Sequence, residues 1–363
     1  MKLFQQMLVA PAALGLLAPI AVSATEVNLD AISNYSEDNL YFESNSFEPL
    51  PSNKTLISGG EGLVEMDDIT SSFSSTTTAS FGVDFLLSTV EGAASEDVGF
   101  DYQMGIGLET SFTGEDALSA TIDIGNAATA GGTELGFDST GDVLTLDGLT
   151  YTFPVGGATV MVGDNTDISA VYTGACAYNA FTDYMGNCGT GNSVGVGGNG
   201  ATAAMAYAFD GGFSLAGGLS STETSILSDE GTDTYGIEAA YSADSFGVSV
   251  AYSDDETTTF WGVNAMYAFD LVSLSAGYES ADADETADGF MVGLSFTEVG
   301  PGSFDIGMGT TANFTGSEDE YYVYEASYAY PVNDGMTLTP GIYIKETAGD
   351  DETGVALKTS FSF

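Results

Sequence analysis

The sequence predicts an all-β protein, a transmembrane antiparallel β-barrel of about 16 strands, and three observations carry that expectation. Segments near ten residues long alternate apolar with small or polar residues up to the last residue of the chain. The connectors between them alternate short with longer and acidic. A leader of secretory type precedes them all.

The alternation is clearest at the C-terminus. In 354–363, Val355, Leu357, Thr359, Phe361 and Phe363 share one face, with Gly354, Ala356, Lys358, Ser360 and Ser362 on the other. Strict alternation of that length suits a tilted membrane-crossing strand. In 336–345, Met336, Leu338, Pro340, Ile342 and Ile344 oppose Thr337, Thr339, Gly341, Tyr343 and Lys345. Tyr322, Tyr324, Ala326, Tyr328 and Tyr330 share a face in 321–330, and Trp261, Val263, Ala265, Tyr267 and Phe269 do so in 260–269. Further toward the N-terminus, Phe100, Tyr102, Met104, Ile106 and Leu108 oppose Asp101, Gln103, Gly105, Gly107 and Glu109. Segments of this kind start near 77, 100, 117, 144, 158, 201, 213, 235, 246, 260, 271, 289, 303, 321, 336 and 354. Their number is even, as a closed single-chain antiparallel barrel requires.

Connector lengths supply a second test. With the last strand descending into the periplasm, the inner turns are Gly156-Gly157, Asp210-Gly211-Gly212, Ala243-Asp244 and Asp270. The outer loops include SDDET (253–257), SADADETAD (280–288), TGSEDE (315–320) and TAGDDE (347–352). Soluble β-sandwiches also alternate. Aromatic residues at strand ends, and small or polar faces opposite apolar ones, favour a barrel with lipid outside and water inside.

The leader spans residues 1–24: Lys2, an apolar run from Met7 to Val22 broken by Pro11 and Pro19, and the small-residue cleavage site Val22-Ser23-Ala24. Nothing else in the chain approaches the run of about 18 apolar residues that a membrane helix needs. Residues 25–76 lack the alternation and read as a periplasmic N-terminal extension, with a lumen-entering segment of low regularity as the alternative; the barrel occupies 77–363.

The formal net charge is −49, from 53 acids against four basic residues, and histidine is absent. Phosphate binding needs Lys and Arg, so nucleic acid is excluded as a partner. A hydrophobic content of 44% with 12% aromatics argues against disorder. Without histidine no Ser-His-Asp or Cys-His catalytic arrangement exists, so no enzyme is expected. Neither a cofactor nor a dedicated metal site is expected: Asp282-x-Asp284 lacks the glycine and distant glutamate of a calcium-binding EF-hand loop. Gly195-x-Gly197-x-x-Gly200 spells a dinucleotide fingerprint, yet it sits in a glycine-rich loop with no helix after it.

The facing assignment puts Asp84, Asp101, Glu109, Asp123, Glu238, Glu279, Asp305 and Glu325 in the lumen, with Lys345 and Lys358 the only basic residues there. An acidic lumen in a low-dielectric wall concentrates cations. The longest outer connector, 173–200, follows the fifth strand and holds both cysteines, Cys176 and Cys188. In a secreted chain a disulfide between them is the favoured reading, with two free thiols as the alternative. Tyr178, Phe181, Asp183 and Tyr184 lie between them and are the candidates for a pore constriction. The alternative is a cap that stays outside the pore.

Three stretches carry a family resemblance: MKLFQQMLVAPAALGLLAP (1–19) with VNLDAISNYS (27–36), LETSFTGEDALSATIDIGN (108–126) and LTYTFPVGGATVMVG (149–163). On these the chain resembles the porins of cyanobacterial outer membranes, the Som and OprB-like group for carbohydrate or iron uptake. Family members carry a surface-layer homology domain before the barrel, and residues 25–76 do not look like one. The resemblance implies an outer-membrane homotrimer passing small hydrophilic solutes and inorganic ions. Together with the charge count, it gives the functional expectation of passive diffusion with a preference for cations. A structural or adhesive barrel with a blocked lumen is the second expectation.

Overall fold

A computed structural model describes residues 77–189, 191–194, 197–226, 231–282, 286–311 and 320–363. The leader, the 25–76 extension, Gly195 of the glycine motif and Asp284 lie outside the described residues.

Sixteen strands among the described residues form one closed barrel. They are β1 (Thr77–Glu91), β2 (Gly99–Thr110), β3 (Ala117–Gly125), β4 (Thr145–Val155), β5 (Ala158–Asp167) and β6 (Gly197–Ala208). There follow β7 (Phe213–Ser221), β8 (Asp233–Ser242), β9 (Phe246–Asp254), β10 (Thr259–Ala268) and β11 (Val272–Asp282). The last are β12 (Thr286–Val299), β13 (Gly302–Thr310), β14 (Tyr322–Asn333), β15 (Met336–Lys345) and β16 (Glu352–Ser362). Each strand pairs antiparallel with its sequence neighbours, and β1 pairs with β16 to close the ring. Phe81 and Phe363 exchange backbone hydrogen bonds at that seam, N–H to O at 2.8 and 3.1 Å, and their rings stack.

Because side chains alternate across a strand, the apolar residues of each segment reach the outer surface. Ile342, Val355 and Phe100 are 45%, 51% and 56% exposed there. Soluble monomers rarely expose so continuous an apolar face, and such a face marks contact with lipid or another protein. Aromatic pairs mark two belts on that face. Near the short-connector rim lie Tyr207–Phe209, Phe213–Tyr241 and Tyr267–Phe269. Near the opposite rim, Trp261 packs on Tyr278. Such paired girdles flank the lipid-facing band of membrane barrels.

Connectors 111–116, 156–157, 209–212, 243–245, 269–271, 300–301 and 334–335 form one rim. The two-glycine element of 209–212 needs glycine, since Gly211 and Gly212 stand at φ 89° and 90°. The other rim carries 126–144 and 168–196, the two longest connectors. Strand ends differ from the sequence reading mainly on this rim: β6 begins at Gly197 rather than 201, so the longest loop is 168–196. The acidic stretch 280–288 is mostly strand, with β11 running to Asp282 and β12 starting at Thr286.

Candidate pore and its in-folded loops

Loops 126–144 and 168–196, the second and third on the long-connector rim, turn into the barrel and lie on its inner wall. Loop 168–196 runs along the wall from β5 to β15 and back. Its first anchor is Glu238 on β8, whose carboxylate accepts from the N–H groups of Thr173 and Gly174, both at 2.7 Å. Ser275 on β11 then accepts from the N–H of Ala177 at 2.9 Å. Glu325 on β14 is the strongest anchor. It accepts from Tyr178 O–H at 2.9 Å, from the N–H groups of Phe181 and Thr182 at 2.7 and 2.8 Å, and from the Thr182 hydroxyl. Hydrogen bonds to an ionised group are worth about 1.5–3 kcal/mol each, against about 1 for neutral pairs. On the outward run Asn179 lies within hydrogen-bond reach of Asp305, and on the return path Ser193 donates twice to Glu279. Cys176 and Cys188 are joined in a disulfide that closes the outermost part of this path.

The wall is shaped for this loop. A methyl group on Gly293 or Gly307 would run into the Tyr178 ring, and on Gly341 into Phe181. One on Gly277 would meet the Cys188 carbonyl, and one on Gly262 the Ser193 hydroxyl. The sequence reading assigned the glycines of the small-residue face to a water-filled lumen; at these positions they instead admit a second layer of chain. Burial pushes the Tyr178 and Tyr184 hydroxyls up from the ordinary tyrosine range, which keeps both as donors.

Loop 126–144 is held by other means. Thr129 caps the short helix Ala130–Glu134 by accepting from Gly132 N–H, while its own N–H and hydroxyl donate to Asp101 on β2. Ala128 N–H also donates to Asp101. Asp84 accepts from the Gln103 amide at 2.9 Å, and Gln103 in turn accepts from the N–H of Asp138. Beyond these bonds, Leu135 and Phe137 pack with Phe181 of the other loop against the inward side chains Leu86, Val90, Tyr343 and Ala356. Fully burying a Leu or Phe side chain contributes roughly 1.5–3 kcal/mol relative to leaving it in water.

These contacts change the meaning of the inward carboxylates. Asp84, Asp101, Asp123, Glu238, Glu279, Asp305 and Glu325 do face inward, but all are buried beneath the loops. They are not an open ring of charge facing water, because facing gives a direction and not what lies opposite. Glu109 alone of the eight is exposed, near the short-connector rim. Lys345 is ion-paired on both sides, to Glu134 and Glu352 at 2.6 Å each, and its ammonium sits 5.9 Å from the Tyr184 ring centre. Lys358 is buried in the wall. Asp183 is exposed on its loop and stands beside Gly136, where the two loops meet.

Sequence reasoning missed loop 126–144 altogether as a lumen element. Asp138, Glu134, Leu135 and Phe137 gave no periodic signal. The available signal was on the wall: inward Leu86 and Val90 on β1 break the polar face and imply an apolar partner.

A family model described as Gram-negative porin matches residues 56–350, most of the chain. The chain belongs to the Gram-negative porins. The porin is therefore a channel of the outer membrane and not an enzyme. Solved structures agree with the fold. OprB of Pseudomonas putida has a TM-score of 0.63 at 14% identity, covering 79% of this chain and 94% of its own. An engineered porin of Rh. blastica gives 0.54 at 16% identity, covering 79% and 100%. A loop-deletion variant of OmpT from Vibrio cholerae gives 0.60 at 10% identity, covering 79% and 99%. At such identities the likeness bears on the fold alone. No curated protein sequence matches the chain.

Proposed function

We propose that the porin passes small hydrophilic solutes and inorganic ions by passive diffusion, that it prefers cations, and that loop 168–196 narrows its lumen. The observation that carries this reading is the junction of the two in-folded loops. Asp183 is exposed there, while Lys345, the nearby cation, is neutralised by Glu134 and Glu352. A solute at the junction meets an unscreened carboxylate and no free ammonium from Lys345, so the local potential is negative. The buried inward carboxylates add to that field at longer range. The preference weakens at high salt, because screening shortens the reach of exposed charge. Homotrimeric assembly and kinship with the cyanobacterial Som and OprB-like group belong to the same reading and rest on the sequence resemblance.

The test is single-channel conductance of refolded mature porin in a planar bilayer under a KCl gradient. The reading expects ohmic steps that reverse toward the potassium equilibrium potential. Asp183→Asn moves that reversal toward zero, and Asp183→Lys moves it further. A reversal that is unchanged in Asp183→Lys overturns the role given to Asp183.

The apolar cluster of Leu86, Val90, Leu135, Phe137, Phe181 and Tyr343 supports a second reading, a structural or adhesive barrel with a blocked lumen. Cleanly folded barrel that never conducts would put that reading first.

A further inference from the structure

Lys345 is one of only four basic residues in the chain, and the two in-folded loops meet at its ammonium. It ends β15, facing inward, and pairs across the ladder with Val323 and Glu352. Its Nζ lies 2.6 Å from Oε1 of Glu134, the last residue of the short helix in loop 126–144. Oε2 of Glu352 on β16 is also 2.6 Å away. The same ammonium sits over the ring of Tyr184 from loop 168–196, 5.9 Å from its centre. One cation thus touches both loops and the wall.

The rest of the inward face of β15 serves the same junction. A methyl group on Gly341 would run into the Phe181 ring. Tyr343, 1% exposed, belongs to the apolar cluster with Leu135 and Phe137 of one loop and Phe181 of the other. Its own ring lies over Gly354 of β16, where a Cβ would fall 2.1 Å from it. Gly341, Tyr343 and Lys345 form a floor shared by both loops, apolar at its first two positions and charged at the third.

An apolar floor holds a loop down without fixing where along the strand it rests, because the contact is non-directional. A charge-assisted hydrogen bond from an ammonium to a carboxylate does fix it. The Lys345 side chain is only 15% exposed and that of Glu134 9%, so the pair is largely withdrawn from the water that weakens surface ion pairs. Without the ammonium, Glu134 and Glu352 would face each other as like charges at close range, pushing the loop off the wall.

We infer that Lys345 is the positioning residue of the constriction: its ammonium locks loop 126–144 against loop 168–196, and the two loops narrow the lumen together. This role rests on the reading of the loop junction as the narrow part of the pore. Lys345 acts through the loops and not as a binding group for the solute, since both faces of its charge are taken up by Glu134 and Glu352.

The test compares refolded mature porin with the double variant Glu134→Gln, Lys345→Gln, which removes the tie and keeps the net charge of the junction. Chymotrypsin cleavage after Leu135 or Phe137, both buried in the wild type, is expected to become at least about tenfold faster as the loop opens. Unit conductance in KCl rises, while the reversal potential stays where it was because no net charge is lost. Lys345→Arg keeps the cation and follows the wild type in cleavage and conductance. Should the double variant fail to give a heat-modifiable barrel, Glu134→Gln alone, which changes only the loop, carries the same cleavage expectation. Wild-type cleavage or wild-type unit conductance in the double variant overturns the inference, as does a Lys345→Arg barrel that is cleaved as fast as the double variant. Faster cleavage in a barrel that never conducts, wild type included, supports the tie and overturns the pore reading instead.

Discussion

The two loops that enter the barrel are held by contrasting physics. Loop 126–144 has no covalent tie and relies on an apolar cluster, with Asp101 gripping the start of its short helix. Loop 168–196 contributes only Phe181 to that cluster. It is tied by a disulfide and by buried carboxylates spaced around the wall at Glu238, Glu279, Asp305 and Glu325. An apolar contact is non-directional and tolerates sliding. A carboxylate accepting from two backbone N–H groups fixes both position and orientation. The loop that carries Asp183 is thus held by directional bonds along much of its path, whereas loop 126–144 has them at Asp101, Gln103 and Lys345 and owes the rest to apolar packing.

That contrast can be broken from either side. The largest effect is expected for Phe137→Ala. Removing a buried ring costs about 3–5 kcal/mol, which frees loop 126–144 and leaves loop 168–196 in place. Limited proteolysis should cut within 126–144 and spare 176–188. Next comes Cys188→Ser. The disulfide closes a sequence separation of 12; losing it costs roughly 3 kcal/mol of constraint, and it should add open-channel noise without new cleavage in 126–144. Glu238→Gln keeps one acceptor and should cost about 1–2 kcal/mol; it loosens the start of loop 168–196 and raises noise less than Cys188→Ser does.

The smallest effect on conductance is expected for Asp116, an acid with a different task. In the 111–116 turn its carboxylate accepts from Phe112 N–H, Thr113 N–H and the Tyr151 hydroxyl. The Tyr151 hydrogen bond, with those from Thr113 and Ser111, holds the carboxyl well below the usual carboxylate range. A depressed folded-state pKa means stability fully present above the ordinary aspartate value, about 3.9, and lost as pH falls through the lower folded value. Acid should therefore lower the thermal midpoint of the wild type more than that of Asp116→Asn. Conductance at neutral pH should be equal in both. A changed conductance in Asp116→Asn would mean that carboxylates far from the loops also set the pore.

Much of this was legible in the sequence, for a physical reason. A strand between lipid and lumen must alternate, so the segments near 336 and 354 announced both their length and their facing. The same logic placed Glu325 and Glu238 on the inward side. It could not say that a second layer of chain lies there, because loops 126–144 and 168–196 obey no period. The inward glycines Gly293, Gly307 and Gly341 recorded the presence of loop 168–196, but a water-filled lumen also accounts for small residues.

The most direct test is the unit conductance of Glu325→Ala beside wild type, in the same bilayer and KCl. If the inward carboxylates are clamps, the variant frees Tyr178, Phe181 and Thr182, the loop leaves the wall, and unit conductance changes markedly with increased open-channel noise. If they are only lumen charges, the loop stays and the channel loses one negative charge. Conductance and noise would then be nearly unchanged, with the reversal potential moving toward zero, and that result would contradict the account.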